Sequence, residues 1–171
     1  MSQFLGKISA GSFDELILPR LGCALFYQTS SLPEALIAME TGLVTAMHDV
    51  TEGGVLGAVY GMAIASGLGV SVRNEDLPVG HAQQQVTRLF GIDERFCIGA
   101  GAMVIAVKQG NETQVISALF GRGIKATIIG EFTDKAQGLC LSTGGREEQL
   151  PYHEKDPYWA AFFQAFKKGW T

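Results

Sequence analysis

Hydrophobic positions along the chain change period several times, and each change marks an element. Ser30-Ser31-Leu32-Pro33-Glu34 has the form of a helix start, with Ser as cap, Pro in the first turn and Glu close behind. Leu32, Ala35, Leu36 and Met39 then share one helical face, and Gly42 stops the helix. The short run Leu43–Met47 is expected to be a buried strand. It ends in the polar cluster His48-Asp49-Val50-Thr51-Glu52, two glycines follow, and Val55, Leu56, Val59, Met62 and Ala63 set a helical period over about Gly54–Ser66. Val70–Arg73 alternates like a strand. Ala82–Phe90 reads as a helix with Val86, Leu89 and Phe90 inward. Phe96–Gly99 and Ala102–Val107 read as strand material, joined by a bend or bulge at Gly99–Gly101. Asn111 is placed to cap a helix with Val115, Ile116, Leu119 and Phe120 as its apolar positions. Ala126–Phe132 is rich in β-branched residues, Gly138–Ser142 is a further strand, and Gly144-Gly145 is a hairpin-type turn. The last helix, about Pro157–Lys168, carries Tyr158, Trp159, Phe162, Phe163 and Phe166, a stripe expected to be core or to cover an interface.

Helices and strands alternate, but the strand-to-strand links are too short for an all-parallel sheet. The pattern predicts an α+β fold: a mixed sheet layered with helices, with split βαβ character. Phe13, Leu16, Ile17 and Leu18 suggest a short helix in the first thirty residues. Residues 1–30 are taken as a remnant or linker and 31–171 as the domain.

Composition narrows the function classes. Apolar residues make up 47% and charged residues 18% of the 171, which excludes a disordered chain. The 22 glycines point to tight turns and close backbone contacts. The net charge is −4 with no basic stripe, so nucleic acid is not an expected partner. No apolar run approaches a membrane span, and no secretory pattern opens the chain. Cys23, Cys97 and Cys140 are widely spaced and make no metal motif, so reduced thiols in a cytoplasmic protein are expected. Glu147-Glu148 and Glu154-Lys155-Asp156 read as solvated turns, and His81 and His153 as isolated, exposed residues.

The candidate chemistry lies at residues 48–54. A strand–turn–helix with Gly53 and Gly54 at the helix start presents backbone N–H groups without intrahelical partners. Together with the helix dipole these favour an anion, above all a phosphate. Asp49 and Glu52 beside a phosphate could hold Mg²⁺. Spacing alone leaves two assignments open: a ligand site, or Asp49 or Thr51 simply capping the helix with His48 a satisfied turn residue. The glycines admit the same two accounts, since close packing requires them as much as a ligand would.

The segment His48-Asp49-Val50-Thr51-Glu52-Gly53-Gly54-Val55-Leu56-Gly57-Ala58, followed by Met62–Val70, resembles the C-terminal domain of the aminoimidazole ribonucleotide (AIR) synthetase superfamily. Leu77-Pro78-Val79, Ala100-Gly101-Ala102 and Ile128-Ile129-Gly130-Glu131 follow at similar spacing, and the resemblance covers about residues 30–135. It implies an α/β/α layered fold with partial ferredoxin-like topology and an ATP-dependent chemistry that activates a carbonyl or phosphate oxygen by phosphoryl transfer. ATP and Mg²⁺ are implied cofactors, bound mostly by an N-terminal domain that also forms a homodimer interface. Nothing like that domain precedes residue 30, so the chain is expected to be a fragment, an excised domain or half of a split protein, inactive alone and working with an N-terminal ATP-binding domain in cis or in trans. In this reading Gly53 and Gly54 hold a phosphate, Asp49 and Glu52 orient Mg²⁺ or substrate, and His48 and Thr51 donate hydrogen bonds. The turn resembles the hydrogenase-maturation branch, which has Asp-Pro-Thr-Arg-Gly-Gly; Val50 and Glu52 depart from it, and the last cysteine, Cys140, lies far from the terminal Thr171. The rival expectation is a non-catalytic domain binding a small anion or a partner on the same scaffold.

Overall fold

The computed structural model describes residues 29–169; the helix expected near Phe13 lies outside them. In chain order the elements are α1 (Leu32–Glu40), β1 (Val44–Asp49), α2 (Gly54–Ser66), β2 (Gly69–Arg73), α3 (His81–Phe90), β3 (Met103–Val107), α4 (Glu112–Phe120), β4 (Gly130–Thr133), β5 (Leu139–Thr143), β6 (Arg146–Gln149) and α5 (Pro157–Lys167). The class is α+β, as the alternation predicts. The strands divide between two sheets: β1 and β3 form an antiparallel pair, and the larger sheet runs β4-β2-β5-β6. Within it β2 is antiparallel to β4 and parallel to β5, so the sheet is mixed. A parallel β2–β5 pair needs a long crossover, and more than sixty residues supply it.

The core gathers on the central strands. Val70 and Val72 of β2 and Leu141 of β5 are buried under α2, whose Leu56, Val59, Met62 and Ala63 face them. Burying a side chain of this size stabilises by about 1.5–3 kcal/mol, so this cluster sets where α2, and with it the preceding turn, must sit. A second cluster, Ala38, Val115 and Leu119, joins α1 and α4 to the β1–β3 pair.

Several expectations are corrected. Leu32, Leu36 and Met39 face outward and α1 buries Ala38 instead; a small side chain permits the close approach to α4. On α3 it is Thr87 that is buried, its hydroxyl donating to the Gln83 carbonyl, while Leu89 is exposed. Phe96–Gly99 is no strand: a 3₁₀ turn spans Glu94–Phe96, with Asp93 accepting from the Arg95 N–H. β-branched residues extend the expected strand from Ala126, yet only Gly130–Thr133 finds a partner, in β2. Glu147 and Glu148 are part of exposed edge strand β6, not of a turn; charge suits an unpaired edge. The aromatic stripe of α5 is not core, since Trp159, Phe162, Phe163 and Phe166 are all exposed and only Ala165 is buried.

Candidate functional site

Strand β1 runs two residues further than its apolar run, so His48 and Asp49 are paired to Val104 and Met103 of β3. The Val50 N–H then donates to the Ala102 carbonyl, and the buried Val50 side chain packs against the bend at Gly99. Between Val50 and α2 the chain turns through Thr51-Glu52-Gly53. Gly53 adopts φ 84° as the residue before the helix, a conformation that favours glycine. Gly54, at φ 64°, is required for a second reason. A Cβ there would lie 2.8 Å from the Phe96 carbonyl carbon, so the start of α2 packs backbone to backbone on the Glu94–Phe96 turn. Of the two accounts of the glycines, close packing therefore holds for Gly54.

The N–H groups at this helix start have distinct fates. Gly54 donates to the Thr51 carbonyl and Gly57 to the Gly53 carbonyl. Val55 and Leu56 have no acceptor among the described residues. The Gly53 N–H donates to Asp156 Oδ2 at 2.9 Å. Asp156 was expected in a solvated turn; instead it is 7% exposed, and its Oδ1 accepts the Tyr158 N–H, capping α5. One carboxylate thus lies at the N-termini of two helices, where both dipoles favour it. No local sequence signal marks Asp156 as a partner of residue 53; only Pro157 after it hinted at a helix start.

The other predicted site residues are gathered around the same turn with open side chains. His48 Nδ1 lies 2.6 Å from the Asp49 carbonyl oxygen. Asp49, Thr51 and Glu52 are exposed, and Glu52 Oε1 accepts the Trp159 indole N–H at 3.1 Å. The turn has no cation of its own. Among the described residues no group of three or more His, Cys, Asp or Glu could hold a metal ion. Asp49 alone does not build a Mg²⁺ site, so the expected magnesium role finds no complete ligand set here.

Two neighbouring features complete the surroundings. A polar cleft of about 900 Å³ is lined in part by Glu75, Asp93, Arg95, Arg146 and Glu148. Arg95 is committed within it, its Nη2 donating to Asp93 and its Nη1 to the Asn74 side-chain oxygen. That hydrogen bond from Arg95 holds the Asp93 carboxyl below its ordinary range. An apolar cavity of about 300 Å³ lies between α3 and α5, bordered by Val86, Phe90, Cys97, Tyr158 and Phe162. Burial, assisted by the Asp156, Asp93 and Glu94 carboxylates, pushes the Cys97 thiol up to about 12. The group is a neutral thiol near neutral pH and so a weak nucleophile. No helix among the described residues is long and apolar enough to cross a membrane.

A mixed sheet under a largely apolar helix, opened by a glycine turn at the end of an antiparallel strand pair, makes a layered α+β domain. Residues 26–139 match the family described as AIR synthase related protein, C-terminal domain, and the chain belongs to that family. Carbamoyl dehydratase HypE of Escherichia coli K12 is 36% identical over 118 residues, 67% of this chain and 35% of HypE. The PurL subunit of phosphoribosylformylglycinamidine synthase from Rhizobium meliloti is 33% identical over 112 residues, 66% of this chain and 12% of that subunit. The crystal structure of E. coli HypE superposes with a TM-score of 0.66 at 31% identity, covering 74% of this chain and 41% of HypE. A HypE solved in complex with ATP shares the fold, with a TM-score of 0.59 at 18% identity over 67% of this chain and 37% of that one. The chain therefore spans roughly a third of the length of HypE. Asp156 and α5 lie beyond the family match.

Proposed function

We propose that this chain is the C-terminal, phosphate-binding domain of an ATP-dependent synthetase-like protein of the hydrogenase-maturation type. The observation that carries the proposal is the Gly53-Gly54 turn. A strand end, a left-handed glycine and two helix N–H donors without acceptors meet at one point, as a phosphate requires. The relation to HypE, one form of which is solved with ATP, supports ATP as the phosphoryl source. Gly53, Val55 and Leu56 N–H groups would bind a phosphate of substrate or nucleotide, while His48, Asp49 and Thr51 would orient the group being activated. Most of the nucleotide and any Mg²⁺ would be held by an N-terminal ATP-binding domain, in cis or in trans, within a homodimer. Phosphoryl transfer depends on positioning and charge stabilisation, and this turn supplies only part of both; the isolated chain should turn over nothing.

Thermal unfolding of the chain with millimolar Mg·ATP, with and without the N-terminal half of E. coli HypE, tests the reading. A ligand that binds the native state raises the midpoint by mass action, and a rise of a few degrees in the combined sample is expected. No rise in either sample would contradict it.

A second reading has its own observation. Asp156 and Glu52 both bring negative charge to the turn, which suits a non-catalytic domain whose anion requirement is met internally. Binding of a protein partner with no response to nucleotide or phosphate would favour it.

A further inference from the structure

The C-terminal segment does more than end the fold. Leu150 is buried, and its N–H donates to the Leu139 carbonyl, fixing the segment beside β5. Tyr152 stacks on Tyr60 of α2 with centroids 4.4 Å apart. His153 meets Phe96 edge-on at 4.3 Å. The chain then delivers Asp156 to Gly53 and Trp159 to Glu52. These contacts form a strap from β6 across α2 to the mouth of the turn.

We propose that this strap is a built-in plug: the Asp156 carboxylate occupies the anion position at the start of α2, and a phosphate reaching the turn must displace it. The inference rests on the phosphate-site reading of the turn. Three observations carry it. The carboxylate is an oxygen acid at hydrogen-bond distance from the Gly53 N–H, with the sign of a phosphate's charge and the same kind of acceptor oxygen. It is buried in place, so a phosphate cannot share the position without crowding two anions in a low-dielectric setting. The element behind it is lightly held: α5 exposes most of its aromatic face and borders a cavity on its inner side, so few contacts are lost when it moves. Asp156 keeps its bond to the Tyr158 N–H when it leaves Gly53, so α5 travels as a capped helix. Trp159 would be the latch, since its indole N–H must release Glu52 in the same movement.

The test is a titration of the full chain with inorganic phosphate, followed by the Gly53 amide and Trp159 indole N–H resonances. In the wild-type protein, phosphate should move both together. Asp156→Asn removes the competing charge and should tighten phosphate binding about tenfold, the scale of one charge-assisted hydrogen bond. Trp159→Phe leaves the buried carboxylate intact and should tighten binding about twofold; it decides the matter if Asp156→Asn fails to fold. Equal affinity in all three proteins, with the indole unmoved while Gly53 shifts, would overturn the plug and leave the phosphate site standing. If Gly53 responds to phosphate in none of them, even with the indole released in a variant, the phosphate site fails and the plug with it.

Discussion

Helices α2 and α5 are both apolar in sequence, and the fold treats them in opposite ways. α2 buries Leu56, Ala58, Val59, Met62 and Ala63 between the sheets, whereas α5 buries Ala165 alone and leaves four aromatic rings in solvent. The difference lies in the small residues. Gly54 lets the start of α2 meet the Glu94–Phe96 turn at backbone distance, Ala58 and Ala63 are buried further along it, and Leu56, Val59 and Met62 fill the space between. α5 presents bulky rings on adjacent turns, several of which stack on one another, as Tyr158 does on Phe162. A helix that packs on its own rings needs no core. Hydrophobic content alone does not decide which helix is structural; a thin, close-packing surface does.

The largest expected effect is on stability. Leu56→Ala empties a fully buried position and should cost about 2–5 kcal/mol. Phe163→Ala, on a half-exposed ring of α5, should stay within about 0.5 kcal/mol. Urea unfolding of both variants measures the contrast, and equal losses would erase the distinction between the helices. Gly54→Ala should cost about 2 kcal/mol, because the new methyl meets the Phe96 backbone and φ is positive. A native circular dichroism spectrum with a lowered urea midpoint is the expected result, and an unchanged midpoint would show that α2 does not need its close approach.

The smallest effect is kinetic. With its thiol pushed up to about 12, Cys97 should react with iodoacetamide at pH 8 at least about a hundredfold more slowly than an unfolded cysteine. Phe162→Ala should speed that reaction several-fold by opening the cavity beside the sulfur, without lowering the urea midpoint. Peptide mapping by mass spectrometry after timed alkylation separates these rates. An unaffected rate would mean that α5 does not shield the cavity.

The limits of α2 and the start of α5 are legible because each carries its own local signals: glycines at both ends of α2, and Pro157 at the first position of α5. The exchange of faces on α1 is not. Its apolar stripe Leu32, Leu36 and Met39 is larger than the face it buries, and only the position of α4 makes Ala38 the contact. Phe96–Gly99 reads as a strand because apolar runs look alike in a strand and in a buried turn, and here Asp93 and Arg95 settle the turn. At the candidate site the residues of the turn were evident from glycine, charge and position. Its closure was not: Gly53 and Asp156 lie 103 positions apart, and the pairing has no period or motif to betray it. The packing need of Gly54 was likewise invisible, because it depends on where the Glu94–Phe96 turn passes.

The proposed phosphate site is the turn at Gly53. Its most direct test is the amide spectrum of the chain during titration with Mg·ATP in the presence of the N-terminal half of E. coli HypE. A phosphate held at the turn should shift the Gly53, Gly54, Val55 and Leu56 amides together with one affinity while Arg95 and Arg146 in the polar cleft stay still. Shifts confined to the cleft, with the turn unmoved at saturation, would contradict it.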